Sequence, residues 1–221
     1  MLNHFIAMRV KNIILAPEKE WAVINEEPTS LWLLVKNYAV FLAGAYFLVS
    51  IFSAAVISYI FFRLLNFDFP SSEVFHWSYV VYSGGITFFL QLVLVVTMSY
   101  LVAMISPSFG GSNDPSMSGK LIIYSATAFW ISGIVSLLLT LIPIVGWILV
   151  IPVRLLGLAY SSYLIYKGAG ALLGVPDEKL SSAVVVILLV YAFTGLVFLG
   201  ISNGLSSFFF GLNDAGGLVS A

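Results

Sequence analysis

Five apolar stretches dominate this chain and leave it few ways to fold. Residues 37–62, 79–105, 121–142, 147–166 and 183–201 are each about as long as the ~20 residues a helix needs to cross ~30 Å of hydrocarbon. Four of the five contain no charged side chain, and the fourth contains only Arg154. Charged residues make up 9% of the sequence against roughly a quarter in an ordinary soluble domain. The expected fold is therefore an all-α integral membrane protein with five transmembrane helices. Residues 1–36 form an N-terminal segment, 37–201 the membrane domain and 202–221 a C-terminal tail.

Lysine and arginine in short loops are retained on the cytoplasmic side, and this orients the chain. With the N-terminus cytoplasmic, Arg9, Lys11, Lys19, Lys36, Lys120, Lys167 and Lys179 all fall inside and Arg63 alone outside. The C-terminus is then exterior. No continuous apolar run occupies the first 30 residues, so no cleaved signal peptide is expected and the first span serves as the targeting signal. "APEKEWAVINEEP", residues 16–28, reads as a short helix with proline in its first turn and acidic residues near its start. It is expected to lie in the inner interface or to dock on the bundle, with Trp21 and Ile24 on one face. Residues 106–120 are rich in Gly, Ser and Pro and read as a mobile linker between two spans and three.

Arg154 is the chain's most demanding residue. A mid-span arginine costs roughly 2.5–3.5 kcal/mol, whereas each Leu, Ile or Val returns only about 0.3–0.6. The fourth span is thus marginal alone, and with only residues 143–146 separating it from the third, the two are expected to insert as a hairpin. One reading of Arg154 is structural: its guanidinium reaches toward the bend or toward the backbone acceptor that Pro152 leaves free at Ile148. The other is a ligand site. Arg154, Gly157 and Ser161 share one helix face, Tyr160, Tyr163 and Lys167 the opposite one, and Gln91 of the second span could complete a cavity for an anionic headgroup or solute.

Other patterns mark packing or exclude chemistry. Ala128, Ser132, Ser136 and Thr140 recur every four residues, as do Ser50, Ala54 and Ser58, giving ridges that permit close helix approach. Ser132 and Ser136, with Trp21, are the candidate partner-binding residues. Without cysteine there is no disulfide or thiolate site, and His4 and His76 stand apart from any acidic cluster, so neither metal nor cofactor is expected. "GAGALLG" at 168–174 is followed by Val-Pro rather than Lys-Ser/Thr and is not a phosphate loop. No carboxylate lies within a span, which excludes a carboxylate proton relay. The near-zero charge balance of -1 gives no reason to expect nucleic acid.

The cytoplasmic "NIILAPEKEWAVI" segment, five spans, the hairpin at "IPIVGW" and "LAYSSYLIYKGAGALLGVPDEK" before the last span together resemble the Yip (Ypt-interacting protein) domain family. That resemblance implies a five-span fold with a cytoplasmic N-terminus. Its eukaryotic relatives bind Rab-type small GTPases, form complexes with one another and act in vesicle trafficking. This chain lacks their longer acidic cytoplasmic region, so GTPase binding is not carried over to it. It is more similar to the compact prokaryotic members, which implies a bacterial or archaeal cell membrane. Two functions follow as expectations. One is a non-enzymatic scaffold that binds lipid and a second copy or a related membrane protein. The other is a conduit for lipid or a small anionic solute lined by Arg154, Gln91 and Ser161.

Overall fold

A computed structural model of the chain describes residues 2–59, 77–142 and 144–219. Residues 60–62 of the first expected span, Arg63, His76, nearly all of the 66–78 loop and Pro143 lie outside them, as does the side chain of Ser58. The described residues form helices α1 (Leu2–Leu15), α2 (Pro17–Glu26), α3 (Leu31–Leu34), α4 (Val40–Tyr59), α5 (Trp77–Ile105), α6 (Pro115–Leu139), α7 (Val145–Leu173) and α8 (Asp177–Val219). A π turn at Val35–Ala39 joins α3 to α4, so the first span begins at Leu31 rather than at 37. Among the described residues five helices are long and apolar enough to cross a membrane.

Local chemistry sets the boundaries. Asp114 caps α6 by accepting a 2.7 Å bond from the Ser116 N–H, with Pro115 in the first turn where a missing donor is harmless. Pro17 plays the same part in α2. Gly174, at φ +68°, ends α7 in the left-handed conformation that glycine adopts without strain.

The helices alternate in direction. Tyr38 lies against Thr127 and Ser53 against Leu137, so α4 runs parallel to α6, whereas Gln91 meets Trp130 in the antiparallel α5. α7 returns along α6, bringing Gly157 onto Ser132 and Gly168 onto Leu121. α8 then runs antiparallel to α5, with Thr87 bonded to Ser202 at 3.1 Å. α6 is the central helix: 67% of its apolar window is buried, against 17–28% in the other four.

The hairpin forms, and its bend is tight. A side chain at Gly146 would come within 1.8 Å of the Leu139 carbonyl oxygen, so only glycine fits. Ile144, at φ 64° and ψ -70°, adopts a γ-turn geometry that β-branched residues rarely take.

Three expectations are corrected. The N-terminal segment holds two helices, because Ile6, Arg9 and Ile13 give α1 a buried stripe of its own. Residues 106–120 are ordered: the Ser112 N–H donates to the Leu173 carbonyl (2.8 Å) and residues from Pro115 onward are already helix. Residues 202–219 continue α8, whose 43 residues span about 64 Å, roughly twice the hydrocarbon thickness.

Candidate functional site

Arg154 is directed sideways into the bundle. Its Nη2 donates to the Tyr46 hydroxyl of α4 at 2.8 Å. Its guanidinium carbon lies 5.3 Å from the Tyr46 ring centre and 5.4 Å from that of Phe129 on α6. Both contacts place the cation over a π face, where it is stabilised by about 0.5–2 kcal/mol per ring depending on desolvation. The space exists because residue 133 is glycine: a Cβ there would stand 2.7 Å from Nη1 and 2.8 Å from the Tyr46 ring. The guanidinium thus ties the first span to the third-and-fourth hairpin rather than reaching up to the bend at 143–146.

The expected companions of Arg154 do not converge on it. Gln91 accepts a 3.0 Å bond from the Trp130 indole. Ser161, two turns further along α7, lies in a separate groove with Ser125, its hydroxyl unpartnered. Tyr160 and Tyr163, on the opposite face as expected, serve the N-terminal helices. The Tyr160 hydroxyl donates to the Ile14 carbonyl at 2.6 Å, and the Tyr163 ring stands 5.5 Å from that of Tyr160 and 5.8 Å from the Lys167 nitrogen. Lys167 in turn pairs with Glu18 at 2.7 Å, and this bond holds the Glu18 carboxyl below its ordinary value.

The candidate partner residues are also used within the chain. Trp21 is 1% exposed and rests on Gly168, where a Cβ would meet its ring at 2.9 Å. Docking on the bundle, one of the two placements expected for α2, therefore leaves no exposed indole for a partner. Ser132 is buried against Gly157, whose missing side chain lets α6 and α7 touch, and Ser136 is 2% exposed. This ridge closes the hairpin, so it is not a free surface for another molecule.

A buried charge cluster at the α1–α2 end went unread in the sequence. Arg9, 4% exposed, pairs through Nη1 with Glu20 and through Nη2 with Glu27. Lys120, 2% exposed, donates to the carbonyls of Ile24 (2.9 Å) and Glu27 (2.6 Å) and so satisfies the last carbonyls of α2, at the negative end of its dipole. Arg9 also stacks over Phe5 and Tyr124. Two cations and two carboxylates balance, which allows Arg9, Glu20 and Lys120 to be buried beside the partly exposed Glu27. The available signal was the position of Lys120, one turn inside a helix that starts at Pro115, facing inward rather than sitting in a loop. Among the described residues no group of three or more His, Asp or Glu could hold a metal ion.

The seven basic residues expected inside gather with α1 and α2 at this end, and α8 leads away from it, so the described chain starts and finishes at opposite ends of the bundle. No curated protein and no solved structure matches the chain. A family model, the Yip1 domain, matches residues 11–199, a range that begins inside α1, takes in α2 and the hairpin with Arg154, and ends within α8. This chain belongs to the Yip1 domain family.

Proposed function

We propose that the protein is a non-enzymatic membrane scaffold that works by self-association in the bilayer, through the outward face of α8. One observation carries this reading. Gly200 and Gly204, four residues apart, are both exposed, and among the described residues no atom lies within 4 Å of where a Cβ on either would sit. Glycine inside a helix is destabilising by roughly 0.5–1 kcal/mol relative to alanine. Several glycines in the bundle are matched by a close neighbour, as Gly157 is by Ser132 and Gly133 by Tyr46, whereas Gly85 and Gly195 are open like Gly200 and Gly204, which alone of these four stand four residues apart on one helix. On α8 the close approach they permit is unused among the described residues.

The surroundings suit a second copy of the same helix. Small residues four apart let two spanning helices bring their backbones together where no hydrophobic force drives association. Asn203, exposed between the two glycines, supplies an amide that can bond across such a pair. Phe193, Leu196 and Phe208, 70%, 68% and 60% exposed, flank the same face. The test is cross-linking of the full chain in membranes. Wild type should give a dimer band, and the double variant Gly200→Leu, Gly204→Leu should lose at least nine-tenths of it. A dimer yield that the leucines leave unchanged, or a wild type that stays monomeric, overturns the proposal.

A further inference from the structure

Two buried hydroxyls without partners share one cavity. Ser125 on α6 is 1% exposed, Ser161 on α7 is 8% exposed, and neither Oγ makes a hydrogen bond. Serine within a helix usually returns its proton to a carbonyl one turn earlier, as Ser99 does to Val95 at 2.6 Å and Ser132 to Phe129 at 2.9 Å. Ser125 and Ser161 do not, and neither do Ser118 and Ser136, but Ser125 and Ser161 line the same cavity. The antiparallel register, with Gly157 on Ser132 and Gly168 on Leu121, brings Ser161 opposite residues 125–128, so both hydroxyls sit on the same seam. Between them and α8 lies a cavity of about 60 Å³, walled by Ile122, Phe129, Leu158, Leu188 and Tyr191.

A buried hydroxyl with no partner loses about 1–3 kcal/mol, so two in one cavity point to an occupant that accepts hydrogen bonds. The volume exceeds the ~10–15 Å³ that one water requires and suits a small polar group. Its mouth is apolar, with Leu158 50% and Phe129 38% exposed. Depth narrows the choice. Ser125 lies five residues beyond Lys120 and Ser161 six before Lys167, about 8–9 Å inside the charged end. The headgroup and interfacial layer of a bilayer is roughly 5–8 Å deep on each side, so the cavity lies where that layer gives way to acyl chains.

We propose that this cavity binds a diacyl membrane lipid by its ester group: Ser125 and Ser161 donate to an ester carbonyl, and the acyl chain leaves between α7 and α8 along Leu158 and Leu188. The site faces the seam of α6 and α7 and is independent of the glycine face of α8. Ether-linked lipids have the same shape but no carbonyl. The full chain is therefore reconstituted in nanodiscs of either ester-linked or ether-linked phosphatidylcholine with matched chains, and the lipid retained on release is counted by native mass spectrometry. Wild type should retain the ester lipid at least tenfold over the ether lipid, and the double variant Ser125→Ala, Ser161→Ala should reduce that preference to under twofold. Leu188→Trp, which fills the groove and leaves both hydroxyls in place, should lower retention of both lipids. Equal retention by wild type, a preference that survives the double alanine change, or a cavity holding water alone overturns the proposal.

Discussion

The two ends of the bundle are built on different principles. Around α1 and α2 the interior resembles that of a water-soluble protein: Trp21, Ile24, Tyr38, Met98, Leu121, Tyr124 and Leu164 are all essentially buried, with the Arg9–Glu20–Glu27–Lys120 cluster above them. At the far end the buried groups are small and hydroxylated, namely Ser53, Ser132, Ser136, Thr194, Ser202 and Ser206. There Ser53 bonds the Leu137 carbonyl at 3.1 Å and Thr87 bonds Ser202. The solvent explains the contrast. Water drives large apolar side chains together at the capped end, while lipid is as apolar as leucine and leaves only close contact and hydrogen bonds to hold helices. The free glycines of α8 belong to the second regime, and the docked N-terminal helices to the first.

The largest effect that could break this contrast is at the charge cluster. Glu20→Ala leaves Arg9 buried with only the partly exposed Glu27 carboxylate, and removing one member of a buried ionic group costs about 3–5 kcal/mol. In detergent the variant should lose hydrogen-exchange protection across α1 and α2 while α6 and α7 keep theirs. Uniform loss across all helices would mean that the two ends fold as one unit and that the division drawn here is wrong.

Much of this architecture could be read from the sequence, because spans are long, local signals. The five helices, the hairpin and the opposed faces of α7 all follow from apolar length and the 3.6-residue period, and the structure bears them out. What periodicity conceals is which side of a helix meets which neighbour. Ser132 and Ser136 have the spacing of an association motif, and so do Gly200 and Gly204, yet only the packing shows the first pair enclosed and the second open. Arg154 announced itself by its charge, but its partner Tyr46 lies 108 residues away and carries no mark that separates it from ten other tyrosines. The cluster at Arg9 escaped for the opposite reason. Charges near a chain terminus and in short loops look solvated, and beyond the placement of Lys120 nothing local signals that α1 will fold back with α2 over them.

Ser53→Ala tests the far end. It removes one interhelical hydrogen bond in the apolar layer, where such bonds average about 0.6 kcal/mol, several times less than the loss expected at Glu20. Unfolding in mixed micelles should register a shift of that order. A loss as large as that of Glu20→Ala would show that hydrogen bonds, and not close contact, hold the far end together.

The smallest effect belongs to the exposed pair that joins α2 to α7. Glu18 stands largely in solvent, and its carboxyl is held below the ordinary value chiefly by the hydrogen bond from Lys167 and then by that lysine's charge. A carboxyl with a lowered folded-state value stabilises the fold fully above its unfolded value, about 4.3, and loses that contribution as pH falls through the lowered one. Lys167 remains protonated throughout this range, so only Glu18 titrates. The difference in stability between wild type and Glu18→Gln should therefore be small and constant from pH 7 to about pH 5, then shrink to nothing in acid. It should also diminish as salt is raised, because both side chains meet water and exposed pairs are screened within about 10 Å at 0.1 M. Trp21 on Gly168 keeps α2 docked and Tyr160 on Ile14 keeps the end of α1 docked in either form, so the cap itself stays closed. If the difference persists undiminished at pH 3, the contact between Glu18 and Lys167 acts through packing, and the water-facing side of the cap follows the rules of the lipid-facing end after all.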